Sequence, residues 1–329
     1  MTVAVIGAGS WGTALAAHLR RRGERVRLWA REPEVVAGVA ERRRNPFFLA
    51  DVDLPEGLQV SADINAVADG SALLVMAVPS EFFTRTLKSI ARLPAGAPVV
   101  SATKGFDPER HVRMTEAVIE RFPEARVAAL SGPTFAREVA LGRPTAAVIA
   151  ARDGALASRL QAWIGTREFR LYTNDDVVGV ETGGALKNVM AIATGIADGL
   201  GLGENARAAL VTRGLTEITR LAVALGGEAS TLAGLAGLGD LVLTCTGSLS
   251  RNRALGIALA EGEGLEAHEG KTGMIAEGAR TVRSALALAR RYRVSLPICE
   301  EVGAVLFEGK APAAALAALL ARAPTRENG

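Results

Sequence analysis

A single lysine stands in an apolar helical stretch of the second half of the chain. In residues 181–198, ETGGALKNVMAIATGIAD, Lys187 is the only charge between two terminal acids. Removal from water favours a neutral amine, which can exchange a proton with a hydroxyl or carbonyl oxygen. Gly183, Gly184 and Ala191 lie at helical spacing from it and would leave its flank open to a ligand. A lysine that extends its ammonium group to solvent is the alternative.

A lone carboxylate and a serine at a helix start follow in the same half. Asp240 lies among glycine and apolar residues, where an unpaired charge is costly, so we expect Lys187 or a substrate hydroxyl as its partner. Ser250 can cap the next helix and place Arg251 and Asn252 in its first turn. That combination predicts an anion site. A plain cap with a solvated arginine fits the local pattern equally well.

A second motif that could do chemistry begins the chain. Gly7, Gly9 and Gly12 form GxGxxG directly after an apolar run and at the start of a helical pattern. In a dinucleotide site these glycines allow a tight turn, close approach of the backbone to pyrophosphate, and close packing of helix on strand. The free N–H groups and the dipole of the helix attract the phosphates. The motif predicts a nicotinamide dinucleotide, with a structural turn as the alternative.

The residues about twenty positions beyond these glycines bear on which dinucleotide binds. An acid there binds the ribose hydroxyls of NAD, whereas an arginine tolerates the 2′-phosphate of NADP. The chain has Arg31 followed by Glu32. We therefore predict that NADP is usable and that NAD remains usable too, unless Arg31 is only a solvated residue at a strand end.

The first half must supply a sheet that positions these groups. Short β-rich runs alternate with helical patterns, which is typical of a doubly wound parallel sheet in an α/β protein. The predicted strands are residues 3–6, 26–29, 72–78, 99–102, 127–130 and 146–150. The predicted helices are residues 11–22, 34–43, 81–91 and 112–121.

Conspicuous segments lie at the carboxyl ends of three of the predicted strands. They are VP at 78–79, TKG at 103–105 and SGPT at 131–134. Such sheets bind ligands outside the carboxyl ends of their strands, so these segments are expected to converge. Lys104 would be the cation at that edge and could meet an anionic substrate group, although a surface lysine in a turn is equally consistent with the local sequence.

From about residue 177 the strand signals fade and helical stretches rich in alanine, leucine and glycine take over. Asn174 or Asp175 is placed to cap the first helix. Glycine-rich stretches predict turns at residues 226–227, 234–239 and 262–273. Pro297 and Pro312 suit the first turns of later helices. We predict a dinucleotide-binding domain over residues 1–176 and an all-α domain for substrate binding and catalysis over residues 177–329.

The composition excludes several other classes of function. Of 329 residues, 49% are hydrophobic, and 38 Lys and Arg face 35 Asp and Glu, a balance too even for nucleic-acid binding. The two cysteines form no CxxC and no metal site is expected. No stretch reads as a membrane span and no leader precedes the first strand, so we expect a cytoplasmic protein. An apolar helical domain suggests a homodimer.

Eight segments together resemble the bacterial-type NAD(P)-dependent sn-glycerol-3-phosphate dehydrogenases over almost the whole chain. They are GAGSWGTA at 7–14, NP at 45–46, AVPS at 77–80, TKG at 103–105, SGPTFA at 131–136, GALKN at 184–188, GLGDL at 237–241 and SRN at 250–252. The resemblance implies a Rossmann-type N-terminal domain and a C-terminal domain like that of 6-phosphogluconate dehydrogenase.

The resemblance also implies roles for individual residues. Lys187 would give and take the proton during hydride transfer between the nicotinamide C4 and C2 of dihydroxyacetone phosphate, which yields sn-glycerol 3-phosphate for glycerophospholipids. Asp240 would keep Lys187 placed and charged. The implied substrate residues are Lys104, Gly132, Thr134, Lys187, Asn188, Asp240, Ser250, Arg251 and Asn252. The implied cofactor residues are Gly7, Gly9, Ser10, Trp11, Gly12, Arg31, Lys104, Ala136, Arg251, Ile275 and Glu277.

Two departures from the family pattern are small: Thr134 stands where many relatives have serine, and Ile275 replaces a common valine. From its own surroundings Glu277 need only start a helix. Two other functions stay open. One is a dehydrogenase of a small 3-hydroxy acid on the same fold, which the anion site at residues 250–252 disfavours. The other is a non-catalytic NAD(P)-binding sensor, which would not need an isolated lysine and carboxylate.

Overall fold

The computed structural model describes residues 1–273 and 275–323. In that part of the chain one eight-stranded sheet forms the centre of the first half, with the strand order β3-β2-β1-β4-β5-β6-β7-β8. Its strands are β1 (Thr2–Ile6), β2 (Arg25–Trp29), β3 (Gln59–Ser61), β4 (Leu73–Met76), β5 (Val99–Ser101), β6 (Val127–Ser131), β7 (Thr145–Ala150) and β8 (Phe169–Asn174).

Seven helices connect or flank the strands, and the second half of the described chain is helical. The first group is α1 (Ser10–Arg21), α2 (Pro33–Arg42), α3 (Ile64–Ala68), α4 (Ser80–Ser89), α5 (Met114–Arg121), α6 (Ala136–Ala140) and α7 (Gly154–Ile164). The second group is α8 (Val177–Gly199), α9 (Gly203–Ala224), α10 (Ala229–Leu232), a π-helical segment (Leu235–Gly239), α11 (Asp240–Thr246), α12 (Arg251–Ala260), α13 (Leu265–Thr272), α14 (Glu277–Tyr292), α15 (Pro297–Phe307) and α16 (Pro312–Leu320).

The predicted α/β class and Rossmann-type sheet are confirmed, with two differences. Strand β7 pairs antiparallel to β6, with Ser131 opposite Val148, so the sheet is mostly rather than wholly parallel. Direction was not readable, because a strand buried on both faces has the same apolar pattern either way. Strands β3 and β8 were not predicted. The first has only three residues, and the second is exposed at alternate positions.

The order of the strands predicts that the ligand crevice of the sheet lies at the carboxyl end of β1. Apolar side chains fill both faces: Val3 and Val5 pack with Leu15 of α1 on one side, and Ala4 and Ile6 pack on the other side in the cluster that also takes in α4 and α5. The chain order reverses between β1 and its neighbour β4. At such a switch point the carboxyl ends of parallel strands form the ligand crevice.

Helix α8 is the axis of the helical region, and its side chains are buried almost from end to end. Its N-cap is Asp176, whose carboxylate accepts a hydrogen bond from Gly179 N at 2.7 Å. The expectation of a cap at Asn174 or Asp175 was therefore wrong. Asn174 instead accepts a bond from the Asp176 N–H at 2.8 Å, which orients the residue that caps.

The glycine-rich stretches of the second half gave mixed outcomes. Residues 226–227 join α9 to α10 as predicted, and Pro297 and Pro312 begin helices. Residues 234–239 are mostly π-helical and residues 265–272 form α13, so turns at those two places were wrong. A Cβ on Gly237 would overlap the backbone of Leu232, so glycine is needed for close packing there. No helix among the described residues has the length and apolarity of a membrane span.

Candidate active site

The glycine turn, residues 7–12, joins β1 to α1 at the crevice. Gly7 has a φ of +110°, which favours glycine, and an added Cβ would lie 2.6 Å from the Ala77 carbonyl oxygen. A Cβ on Gly12 would overlap the carbonyl oxygen of Gly7, so helix and turn are in contact. A Cβ on Gly9 would meet no protein atom within 4 Å. The turn thus offers open space at the N-terminus of α1, which fits a pyrophosphate.

Side chains within the glycine turn, and that of Asn45, hold the turn against neighbouring loops at the sheet edge. Ser10 Oγ donates to Phe48 O at 3.0 Å, and Trp11 Nε1 donates to Ala102 O at 3.1 Å, beyond the end of β5. The buried Asn45 amide donates to Ala8 O at 2.7 Å. The motif NP at 45–46 was the signal that could have identified Asn45 as a support of the turn.

Arg31 follows β2 at the same edge and remains on the surface. Its guanidinium donates from Nε and Nη2 to one carboxylate oxygen of Glu32, at 3.0 and 2.8 Å. The side chain is 64% exposed. The structure therefore places Arg31 near the dinucleotide turn but pairs it with its chain neighbour.

The lysine–aspartate cluster consists of Lys104, Lys187 and Asp240. Asp240 begins α11 and is fully buried, and its two carboxylate oxygens accept one hydrogen bond from each lysine. Lys104 Nζ lies 2.7 Å from Oδ2 of Asp240, and Lys187 Nζ donates to Oδ1. The partner expected for Asp240 is confirmed as Lys187, with Lys104 as a second.

The remaining contacts fix both ammonium groups. Lys104 Nζ also donates to Gly132 O at 2.8 Å and Thr134 Oγ1 at 3.0 Å, which are residues after β6. Lys187 Nζ donates to Thr244 Oγ1 at 2.9 Å, and this hydroxyl donates in turn to Asp240 O at 2.6 Å. Thr244 was not predicted, although its position four residues after Asp240 in a helix was the available signal.

Burial dominates the titration of Lys187. Desolvation lowers its pKa from 10.5 to about 7, because Asp240 offsets only part of that effect and the positive charge of Lys104 adds to it. Asp240 thus favours the charged form of Lys187, which is the expected direction, while burial lowers the pKa by more. An amine that titrates near neutral pH suits proton exchange with a substrate oxygen.

Gly183 and Gly184 pack α8 closely against its neighbours. A Cβ on Gly183 would lie 2.6 Å from Ala236 O, and one on Gly184 would overlap the hydroxyl of Ser131. The expectation that these glycines leave the flank of Lys187 open was wrong. Gly183 lets α8 approach the π-helical segment at Ala236, and Gly184 lets it approach β6 at Ser131, which brings Lys187 to the sheet edge.

A chain of amides links Lys104 to the start of α14. Asn188 Nδ2 lies 3.5 Å from Lys104 O, Asn252 Nδ2 donates to Asn188 Oδ1 at 3.0 Å, and Gly278 N donates to Asn252 Oδ1 at 2.9 Å. Both side chains are buried. Asn188 and Asn252, predicted from sequence segments far apart, therefore form one continuous polar path with the cluster.

Ser250 caps α12 as predicted, accepting a bond from Arg253 N at 3.3 Å. The two arginines of this turn differ. Arg253 donates to Asp198 at 2.6 Å, whereas Arg251 is exposed and forms no ion pair or hydrogen bond with the residues that the structure describes. Arg251 is thus the arginine of this turn that is available for an anion.

Glu277 begins α14 and reaches the N-terminus of α4. Its carboxylate accepts bonds from Ser80 N at 3.2 Å and Ser80 Oγ at 2.7 Å, and burial raises its pKa. A Cβ on Gly105 would lie 3.4 Å from the same carboxylate, so Glu277 is at the sheet edge. Ser80 was missed as a site residue, although AVPS after β4 contains it.

The predicted residues differ in how directly the structure connects them. Direct bonds join Lys104, Gly132, Thr134, Lys187 and Asp240, and the amide path adds Asn188 and Asn252. Ser10, Trp11 and the glycines form the turn. Ala136 begins α6, and Ile275 is partly buried two residues before Glu277. No direct contact links Arg31 to the cluster among the described residues.

Dehydrogenases that use a nicotinamide dinucleotide are the class that this fold and site define. The glycine turn lies at the edge of the sheet, and the titratable amine of Lys187 comes from the helical region to the same edge. Residues 2–157 match the family model for the N-terminus of NAD-dependent glycerol-3-phosphate dehydrogenase, and residues 176–317 match the model for its C-terminus. The chain belongs to this family.

Individual relatives are similar in sequence over almost the whole chain. The chain is 49% identical to proteins named glycerol-3-phosphate dehydrogenase, NAD(P)+, from Koribacter versatilis and Rhodospirillum rubrum. Those matches cover 99% of this chain and 98% and 94% of the relatives. The crystal structure of glycerol-3-phosphate dehydrogenase from Coxiella burnetii is 41% identical, with a TM-score of 0.92, and the match covers 98% of this chain and 99% of that one.

Proposed function

We propose that this protein reversibly reduces dihydroxyacetone phosphate to sn-glycerol 3-phosphate with NADH or NADPH, which supplies glycerophospholipid synthesis. The observation that carries the proposal is the lysine–aspartate cluster, because a lysine with a pKa of about 7 stands at the ligand edge of a dinucleotide-binding sheet. Membership of the glycerol-3-phosphate dehydrogenase family supports the substrate.

The residues divide the work as follows. Lys187 Nζ gives a proton to the C2 oxygen in reduction and takes it back in oxidation, and Asp240 and Thr244 hold that amine in place. Arg251, Asn252 and the N-terminus of α12 hold the phosphate. The nicotinamide supplies or accepts the hydride. Further substrate contacts are proposed for Lys104, Gly132, Thr134, Asn188 and Ser250.

The dinucleotide site is proposed at the glycine turn and the residues around it. They are Gly7, Gly9, Ser10, Trp11, Gly12, Arg31, Lys104, Ala136, Arg251, Ile275 and Glu277. Open space beside Gly9 and the N-terminus of α1, whose N-cap Gly9 offers no capping side chain, support the placement of the pyrophosphate. The division into domains at residues 1–176 and 177–329 is proposed on the same basis, because the helical region begins with α8.

We also propose that the protein acts on a small molecule as a homodimer in the cytoplasm, without nucleic acid. Large apolar side chains remain exposed on the helical region, including Val223, Leu238 and Val242, which supports association there. The near balance of charges supports the lack of a nucleic-acid partner.

The decisive experiment measures oxidation of NADPH and of NADH by the purified protein with dihydroxyacetone phosphate. Dihydroxyacetone without phosphate and a small 3-oxo acid serve as comparison substrates. We expect turnover with dihydroxyacetone phosphate and kcat/KM lower by at least about 100-fold without the phosphate, because charge-assisted contacts are lost. Turnover of the 3-oxo acid alone would establish the rival dehydrogenase, and cofactor binding without turnover would establish a sensor.

A further inference from the structure

Glu181 is a buried acid on α8, six residues before Lys187, that bonds to the first half of the chain. Its carboxylate accepts three hydrogen bonds, all from the start of α5. Thr115 N donates to Oε1 at 3.0 Å, and Thr115 Oγ1 and Arg113 Nη1 donate to Oε2 at 2.5 and 3.1 Å. Because α5 packs on the sheet, this carboxylate anchor of Glu181, Arg113 and Thr115 joins the helix that carries Lys187 to the sheet.

Arg113 also closes the loop that carries Lys104. Phe106 and Arg113 form an antiparallel bridge across that loop, two residues after Lys104. Glu116 holds Arg113 from the other side, since it accepts bonds from the Arg113 backbone N at 2.9 Å and from Nη2 at 2.6 Å. The guanidinium that reaches Glu181 therefore comes from a fixed residue at the base of this loop.

The lysine–aspartate cluster is assembled across the same junction. Lys187 and Asp240 come from α8 and α11, which pack in one core cluster, whereas Lys104 comes from the loop after β5. The bond from Lys104 to Asp240 therefore depends on the position of α8 against the sheet. The close contact of Gly184 with Ser131 limits how near α8 lies, and directional bonds to the anchor carboxylate fix where along the sheet it lies.

We propose that Glu181, through its bonds to Arg113 and Thr115, is a positioning residue that holds the two lysines of the cluster on the carboxylate of Asp240. The inference rests on the role of Lys187 in the proposed function and adds what places that amine. A buried polar network favours one arrangement when its members are all paired. Loss of the Glu181 charge leaves buried donors at the start of α5 unmatched, which weakens the junction.

The titration of Lys187 reports whether the junction is intact. Burial and the positive charge of Lys104 both lower the pKa of Lys187, and Asp240 raises it. The thiol of Cys245 also interacts with Lys187 but stays neutral, because burial raises the pKa of that thiol to about 12. A loosened junction admits water and moves Lys104 away, and both changes raise the pKa of Lys187. Loss of Asp240 would lower it, so the two defects are distinguishable by sign.

The test measures this titration in the purified protein, from the pH dependence of Lys187 acetylation by acetic anhydride, read by peptide mass spectrometry. In Glu181→Gln the midpoint lies at least about 0.5 pH above that of the wild type. In the same variant kcat with dihydroxyacetone phosphate falls about 10-fold, because the amine is misplaced. Thr115→Val removes one hydroxyl from the anchor and shifts both quantities in the same direction by less, so it provides the test if Glu181→Gln does not fold.

Glu217→Gln is the matched control. Glu217 is a buried glutamate of α9 that accepts bonds from Ile298 N at 2.6 Å and Cys299 N at 3.3 Å, at the start of α15. It therefore makes the same kind of bond to a helix start, but within the helical region. This variant should keep the wild-type midpoint and a kcat within about twofold of the wild-type value.

A midpoint that moves no more in the two anchor variants than in the control overturns the inference. The acetylation measurement needs no turnover, so it separates this inference from the proposed function. If the wild type does not reduce dihydroxyacetone phosphate but the midpoint rises as stated, the positioning of the lysines stands and the proposed function fails.

Discussion

The glycine turn and the lysine–aspartate cluster stand at one sheet edge but are built in different ways. The turn is six consecutive residues, shaped by glycine backbone and held in place by bonds from the Ser10 and Trp11 side chains. The cluster joins side chains that are 53 and 136 positions from Asp240 in the chain, and its properties come from burial. The glycine turn is therefore a local feature of the sequence, whereas the lysine–aspartate cluster exists only in the assembled fold.

The largest expected effect is a loss of turnover without a loss of NADH binding, when the cluster is changed and the glycine turn is not. Lys187→Ala lowers kcat with dihydroxyacetone phosphate by about 10²- to 10⁴-fold, because the proton donor is lost. The Kd for NADH stays within about twofold of the wild-type value, because the glycine turn is untouched. Steady-state kinetics and a dinucleotide titration measure the two quantities.

Lys88→Ala is the control for that variant, since Lys88 is an exposed lysine at the end of α4, away from the cluster. It should keep wild-type turnover. Retained turnover in Lys187→Ala would remove this lysine from the mechanism, and a matching loss of NADH binding would contradict the separation of the two regions.

The difference between local features and contacts of distant residues also explains how much could be predicted from the sequence. The glycine turn, the serine cap at Ser250 and six of the eight strands depend on neighbours within a few residues, so spacing and residue type were sufficient. The lone charges Lys187 and Asp240 could be paired in advance because an unpaired buried charge is unfavourable. The bond from Lys104 to the same carboxylate could not be predicted, since nothing local in its sequence indicates where its amine points.

Two of the wrong predictions share a physical cause. The sequence predicts that Gly183 and Gly184 leave space for a ligand, yet they admit the backbone at Ala236 and the hydroxyl of Ser131. A glycine's missing side chain has the same sequence signature whether a ligand or a neighbouring element fills the space. Only the packed fold distinguishes the two cases, as it does for the direction of β7.

Substitutions of the two arginines at the start of α12 are expected to have smaller effects. One should weaken substrate binding and the other should lower stability. Arg251→Ala raises the KM for dihydroxyacetone phosphate about 10- to 100-fold, because a charge-assisted phosphate contact is lost. The melting temperature of this variant changes little, since the Arg251 side chain is exposed, has no ion pair or hydrogen bond among the described residues, and acts on Glu277 only through its charge.

Arg253→Ala is the matched variant, because Arg253 is two residues away and pairs with Asp198. It should destabilise the fold by about 1 kcal/mol and leave the KM within about threefold of wild type. Equal changes of KM in both variants would show that the helix start as a whole, rather than Arg251, binds the phosphate.

The smallest expected effect is a displacement of the pH profile of kcat, and it tests whether burial or Asp240 controls the amine. Reduction requires protonated Lys187, so kcat with saturating dihydroxyacetone phosphate falls as pH rises through about 7, and kcat for oxidation of sn-glycerol 3-phosphate rises over the same range. Asp240 raises the pKa of Lys187, so Asp240→Asn moves both midpoints to lower pH.

NADH binding at the glycine turn is the control for this displacement of the pH profile. The glycine turn carries no titratable side chain, and Lys104 keeps its bonds to Gly132 O and Thr134 Oγ1, so the Kd for NADH in Asp240→Asn should stay within about threefold of the wild-type value. The use of kcat at saturating substrate avoids titration of the phosphate in free substrate. Midpoints that stay in place would mean that Asp240 positions Lys187 without affecting its charge.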